Sequence, residues 1–127
     1  NNIIIYGESL GTAVAVHIAQ NKNFSGIILE APFTSMIELG QKYYPIFPVK
    51  FLLKDKYESF KKINKIKSPV LVMHGKKDKI VPFYMGRQIF EILPSPKFSY
   101  FNEQDDHMME YNQDLIDSIK NFIDQSS

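Results

Sequence analysis

Three side chains of this 127-residue sequence could together carry nucleophilic chemistry: Ser9, Asp78 and His107. Ser9 lies in Gly7-Glu8-Ser9-Leu10-Gly11, a G-x-S-x-G set between the run Ile3-Ile4-Ile5-Tyr6 and a helical pattern that begins at Leu10. In that context the serine is expected on a sharp strand-to-helix turn, its hydroxyl held above a sheet. Glycine is expected on either side because a side chain there would collide with neighbouring backbone. The helix would aim its first amides at the same point and favour negative charge developing on a bound acyl group, with the Leu10 N–H as first oxyanion donor. A glycine-flanked turn that simply starts a helix is the plainer explanation of a bare G-x-S-x-G; the strand-to-helix placement favours the nucleophile. Phosphate loops fit poorly, since Gly7 to Thr12 lacks the lysine of G-x-x-x-x-G-K-[ST] and no G-x-G-x-x-G occurs.

A serine hydroxyl needs a base, and imidazole suits that role near neutral pH when an acid fixes its tautomer and steadies the imidazolium. Of the three histidines, His17 falls mid-helix more than two turns beyond Ser9 and is read as structural. His74 closes a strand and is read as a ring bonded to backbone. His107 follows Phe101 in the polar loop Asn102-Glu103-Gln104-Asp105-Asp106 and is the expected base. For the acid, Asp78 in His74-Gly75-Lys76-Lys77-Asp78 ranks first and Glu30, ending the second strand, ranks second. Asp105 and Asp106 are taken as solvated loop charges. No histidine pair has metal-ligand spacing, and Asp105-Asp106-His107 alone is a poor zinc set, so no metal is implied.

The elements that must position these groups alternate. Strands are expected at Ile3–Tyr6, Ile27–Leu29 and Val70–Met73, which read as buried, and at Phe98–Phe101. Helices are expected from Leu10 to Gln20, with Val14, Val16 and Ile18 filling the contact, and near Phe83 to Leu93, with Met85, Ile89, Ile92 and Leu93 on one face. The last helix carries the stripe Leu115, Ile116, Ile119, Phe122 and Ile123. Residues 33–68 form an irregular, cap-like segment with a helix from Ser35 to about Tyr44. Such alternation predicts an α/β fold, a mostly parallel sheet with helices on both faces, and ligands at the carboxyl ends of the strands.

Composition bounds the remainder. With 44% hydrophobic residues, the chain supports one core and a single folding unit spanning residues 1–127. A net charge of +1 leaves no basic excess for nucleic acid as a partner, and 14 lysines against the single Arg87 leave no arginine cluster for bidentate phosphate or carboxylate recognition. There is no Cys, which excludes a disulfide and a cysteine nucleophile. No apolar run approaches the roughly 20 residues of a spanning helix. A cytoplasmic location is expected on the absence of cysteines and signals alone. The lysines at 54, 56, 61, 62, 65 and 67 suit a solvated face or, alternatively, an anionic membrane surface. Tyr43, Tyr44, Phe47, Phe51, Tyr57 and Phe60 either seat the cap on the sheet or line a cleft for an acyl chain.

Taken in chain order, Ser9, Asp78 and His107 resemble the alpha/beta hydrolase fold family. Ala31-Pro32-Phe33-Thr34-Ser35, Tyr44-Pro45-Ile46-Phe47-Pro48-Val49-Lys50, His74-Gly75 and Val81-Pro82 look like a branch of small serine hydrolases that includes protein depalmitoylases. The resemblance implies nucleophile Ser9, acid Asp78, base His107 and an acyl-serine intermediate hydrolysed by water, without metal or organic cofactor. A small ester or an acylated substrate is the expected partner. Members usually carry glycine before the histidine, where this chain has Asp106. The four strands match the family's last four, so the chain reads as a C-terminal half that lacks the segment bringing the second oxyanion amide. Loss of one such donor typically costs about 10²–10³ in turnover. A non-catalytic fragment or assembly module, pairing through the exposed edge of its first strand, is the competing expectation.

Overall fold

The β-branched runs form four parallel strands, β1 (Ile4–Glu8), β2 (Gly26–Glu30), β3 (Val70–Gly75) and β4 (Lys97–Asn102), side by side in sequence order. This computed structural model describes residues 2–35 and 61–126. The register sets Ile5 beside Ile27, Ile27 beside Val70 and Val70 beside Lys97, and the alternation of side chains sorts the apolar residues between the two faces. Ile27, Leu29, Val70 and Val72 pack on one face against Ala15, Val16, Ala19 and Ile89. Ile28, Leu71 and Met73 pack on the other against Leu115 and Phe122. Helices α1 (Leu10–Ala19) and α2 (Phe83–Ile92) therefore cover the first face and α3 (Gln113–Ser126) the second.

Three details depart from the pattern read in the sequence. β1 is half exposed rather than buried, with Tyr6 and the preceding Ile3 open to solvent, because among the described residues it is an edge strand with β2 as its neighbour in the sheet. On α1 the alanines and Val16 face the sheet, whereas Val14 and Ile18 point away. The small side chains let the helix approach closely, and the larger ones are left on its outer side. On α2, Met85, Ile89 and the following Leu93 are buried but Ile92 is exposed.

Of the cap-like segment, residues 36–60 lie outside the described residues, and with them its expected helix, its aromatics, Lys54 and Lys56. The end of that segment does not sit over the carboxyl edge. A 3-10 turn (Ile63–Lys65) seats Ile63 and Ile66 in the α1/α2 core, and Ile66 bridges Gln20 beyond the end of α1. This is the amino edge of the strands, and Lys61, Lys65 and Lys67 are exposed there.

Candidate active site

Parallel topology brings the four strand ends to one edge, and each candidate residue follows one of them: Ser9 after β1, Glu30 at the end of β2, Asp78 after β3 and His107 after β4. Ser9 is forced into φ 53° and ψ −115°, a conformation costing an ordinary residue about 1–3 kcal/mol. The surrounding structure holds it there. Its amide donates to the Glu30 carbonyl at 2.8 Å, and its own carbonyl accepts the Thr12 amide at 3.0 Å and the Thr12 hydroxyl at 2.6 Å. The Ser9 side chain makes no capping bond to α1, so its hydroxyl is not used up by the helix. Leu10 is the first residue of α1, and its N–H is among the amides a helix cannot satisfy internally.

The two glycines around Ser9 are not equivalent. A Cβ on Gly7 would stand 2.5 Å from the Gly11 carbonyl oxygen and 3.0 Å from the Ala15 Cβ, so glycine is required for the helix to turn back over the strand. A Cβ on Gly11 would meet nothing within 4 Å among the described residues, because it projects from the open side of the helix. The expected collision at Gly11 is therefore absent.

Asp78 and His107 meet. The His107 ring lies 2.8 Å from Asp78 through Nδ1 and Oδ2, and both side chains are largely sheltered, at 0% exposure for the carboxylate and 12% for the imidazole. A carboxylate only accepts, so Nδ1 carries the proton and Nε2 presents its lone pair. The other Asp78 oxygen, Oδ1, takes the amides of Ile80 and Val81, each at 2.8 Å. Burial pushes the Asp78 carboxyl up, but hydrogen bonds from His74 and His107, then from the Val81 and Ile80 amides, outweigh it and hold the group below its ordinary value.

The other histidines divide as expected. His17 is exposed on α1, its Nδ1 taking Lys62 Nζ at 3.2 Å. His74 is fully buried and gives Nε2–H to the Val81 carbonyl at 2.8 Å, but the same nitrogen also lies 3.3 Å from Asp78 Oδ2. It thus supports the acid loop, a role that only the i,i+4 spacing of His74 and Asp78 could have signalled. Glu30 does not approach His107 as an acid would; its Oε1 accepts the hydroxyls of Tyr6 at 2.5 Å and of Tyr111. That arrangement had no signature in the sequence.

The loop before His107 departs from its expected solvated character. Asp105 is 8% exposed, since its backbone runs directly over Gly75, and its carbonyl accepts the Lys77 amide at 3.0 Å. Asp106 is exposed as expected, yet its Oδ1 accepts the His107 amide at 2.7 Å and the Lys79 amide at 3.4 Å. Asp106 thereby ties the histidine loop to the acid loop. Among the described residues no cluster of three or more His, Asp or Glu could hold a metal ion.

A serine at a strained strand-to-helix turn and an imidazole–carboxylate pair, both at the carboxyl edge of a parallel sheet, are the arrangement of the alpha/beta hydrolase fold. Within it, the chain belongs to the prolyl oligopeptidase family, whose model matches residues 1–125. It is 33% identical to an uncharacterized protein of Mycobacterium tuberculosis over 98% of this chain and 46% of that one. To human alpha/beta hydrolase domain-containing protein 17B it is 32% identical, over 98% of this chain and 42% of that one. The chain thus spans less than half the length of these relatives. Among solved structures, the esterase RhEst1 from Rhodococcus superposes with a TM-score of 0.72 at 15% identity, covering 100% of this chain and 66% of that one. Mouse alpha/beta hydrolase domain-containing protein 10 gives 0.71 at 22%, covering 100% and 64%. These structures share the fold with this chain.

Proposed function

We propose that this chain carries the catalytic half of a serine hydrolase that cleaves carboxylic esters or thioesters, with Ser9 as nucleophile, His107 as base and Asp78 as acid. The observation that carries this reading is the 2.8 Å bond between His107 Nδ1 and Asp78 Oδ2, at the same sheet edge as the strained Ser9 turn. With Nδ1–H engaged by Asp78, His107 Nε2 takes the Ser9 proton as the hydroxyl oxygen bonds to the acyl carbon. The Leu10 N–H offers one donor to the oxyanion that forms. Collapse expels the alcohol or thiol, which receives the proton from Nε2. Water then repeats the sequence on the acyl-serine and frees the acid. No step calls for a metal or organic cofactor, and the substrate is a small acyl ester or an acylated molecule.

The family membership and the esterase among the structural neighbours are consistent with this chemistry. Treating the full-length protein with a fluorophosphonate probe tests it: covalent label on Ser9, abolished by Ser9→Ala, is expected. Label confined to another residue would overturn the assignment.

A second reading concerns assembly. Among the described residues β1 is an edge strand, with Tyr6 and the preceding Ile3 exposed, which suits pairing with a further strand from the same protein or from another copy. Size-exclusion and hydrogen-exchange measurements on the full-length protein distinguish the cases. Slow exchange along β1 in a monomer supports pairing within one molecule; protection that appears only on association supports pairing between copies. A monomer with fast-exchanging outer β1 amides would refute both.

A further inference from the structure

Glu30 touches both halves of the site without reaching its reacting atoms. Through its carbonyl it holds the Ser9 amide at 2.8 Å. Its carboxylate, on a residue only 1% exposed, accepts the Tyr6 hydroxyl at 2.5 Å and the Tyr111 hydroxyl on the same Oε1, and the two phenol oxygens are 2.6 Å apart. Burying a carboxylate is costly unless hydrogen bonds compensate, so these phenols are held firmly.

Tyr111 follows His107 by four residues. Before His107 the chain is tied to the acid loop, where Lys77 N–H meets the Asp105 carbonyl at 3.0 Å. After it, Met109 is buried in the core on the α3 face, and Tyr111 ends the excursion on Glu30. The histidine loop is therefore pinned at both ends, and its second pin is the residue whose backbone holds the nucleophile.

We propose that Glu30, acting through Tyr111, is a positioning residue that sets His107 relative to Ser9. This rests on Ser9 and His107 being the nucleophile and base. A small displacement of a base from its nucleophile is enough to cost about 10²-fold in rate. The Asp78 bond fixes the ring's tautomer and tilt, and the Asp105 and Asp106 ties hold the loop to the acid side; the Glu30–Tyr111 bond is the tie that references its far end to the Ser9 turn.

The test uses the full-length protein and a p-nitrophenyl ester, comparing Tyr111→Phe, Glu30→Gln, Glu30→Leu and Ser9→Ala for kcat, KM, pH profile and Tm. Tyr111→Phe is expected to lower kcat by about 10- to 100-fold, with KM and the ascending histidine limb of the profile unchanged. Glu30→Gln, which keeps an acceptor oxygen, is expected to retain more activity than Glu30→Leu, and its loss should not add to that of Tyr111→Phe. Wild-type kcat in Tyr111→Phe, or a loss explained wholly by unfolding, overturns the proposal; should Tyr111→Phe be poorly folded, the Gln-against-Leu comparison decides in the same way. Glu30→Gln that disturbs the histidine limb as Asp78→Asn does also overturns it and makes Glu30 the acid. An active Ser9→Ala removes the premise, whereas an inactive Ser9→Ala beside an unaffected Tyr111→Phe defeats the positioning role alone.

Discussion

The Asp105 carbonyl lies so close over Gly75 that a Cβ at position 75 would stand 2.2 Å from its oxygen. Backbone cannot yield as a flexible side chain can. Gly75→Ala must therefore displace the segment leading to His107, and a stability loss of about 1–3 kcal/mol is expected from the overpacking. Urea denaturation measures the loss, and the fluorophosphonate labelling rate of Ser9 should fall beyond what the unfolded fraction explains.

The glycines of the serine turn should respond in opposite directions. Gly7→Ala forces a Cβ against the Gly11 carbonyl at 2.5 Å and is expected to destabilise. Gly11→Ala, within α1, meets nothing within 4 Å among the described residues and should be neutral or stabilising by up to about 1 kcal/mol through helix propensity. Thermal melts of the two variants side by side check the ordering.

Asp78→Asn replaces an acceptor with a group whose amide can face His107 and reverse its tautomer. A fall in kcat of about 10⁴-fold is expected on the pattern of serine triads, with substrate affinity retained. Stability carries a second signature. The native Asp78 carboxyl sits below its ordinary 3.8, so its contribution is present above that value and is lost as pH falls through the native value. In Asp78→Asn this component of the acid-induced loss should be missing from denaturation curves carried well below the ordinary value of 3.8.

At the alkaline end the tyrosines on Glu30 provide the corresponding probe. Burial, then the bond to Glu30, pushes the Tyr111 hydroxyl up to about 12, and the same causes drive Tyr6 higher still. A raised pKa favours the neutral phenol in the native state, so its stabilisation is complete below the ordinary value of 10.0 and disappears as pH climbs toward 12. Ultraviolet titration should show late-ionising tyrosines, and Tyr6→Phe with Tyr111→Phe should remove that component.

Asp106→Gly deletes the acceptor shared by the His107 and Lys79 amides. Because both bonds are exposed, a modest cost of about 0.5–1.5 kcal/mol is expected. Faster amide exchange at His107 in the variant would record the loosened tie.

Much of the fold was legible because its signals are local. Buried parallel strands read as continuous apolar runs, as in Val70-Leu71-Val72-Met73, and the stripe on α3 appears as Leu115, Ile119 and Phe122 at helical spacing. Exposure was less legible. Val14 and Ile18 looked like core because side-chain type cannot say which side of a short, alanine-rich helix meets the sheet. Asp105 looked solvated because its burial depends on which backbone passes beneath it.

The site divides in the same way. The types and order of Ser9, Asp78 and His107 were written in the chain, since each must follow a strand in a parallel sheet for its side chain to reach the common edge. Asp78 was ranked ahead of Glu30 there, but without a distance to either, because both carboxylates stand at neighbouring strand ends of one edge. Tertiary structure separates their surroundings: His107 reaches Asp78 at 2.8 Å, while the Glu30 carboxylate is occupied by phenols from β1 and from the segment beyond His107. Local sequence determines what a turn or strand end can present. Contacts between residues dozens of positions apart depend on how separately formed elements pack, and only the folded chain brings those groups within hydrogen-bonding reach.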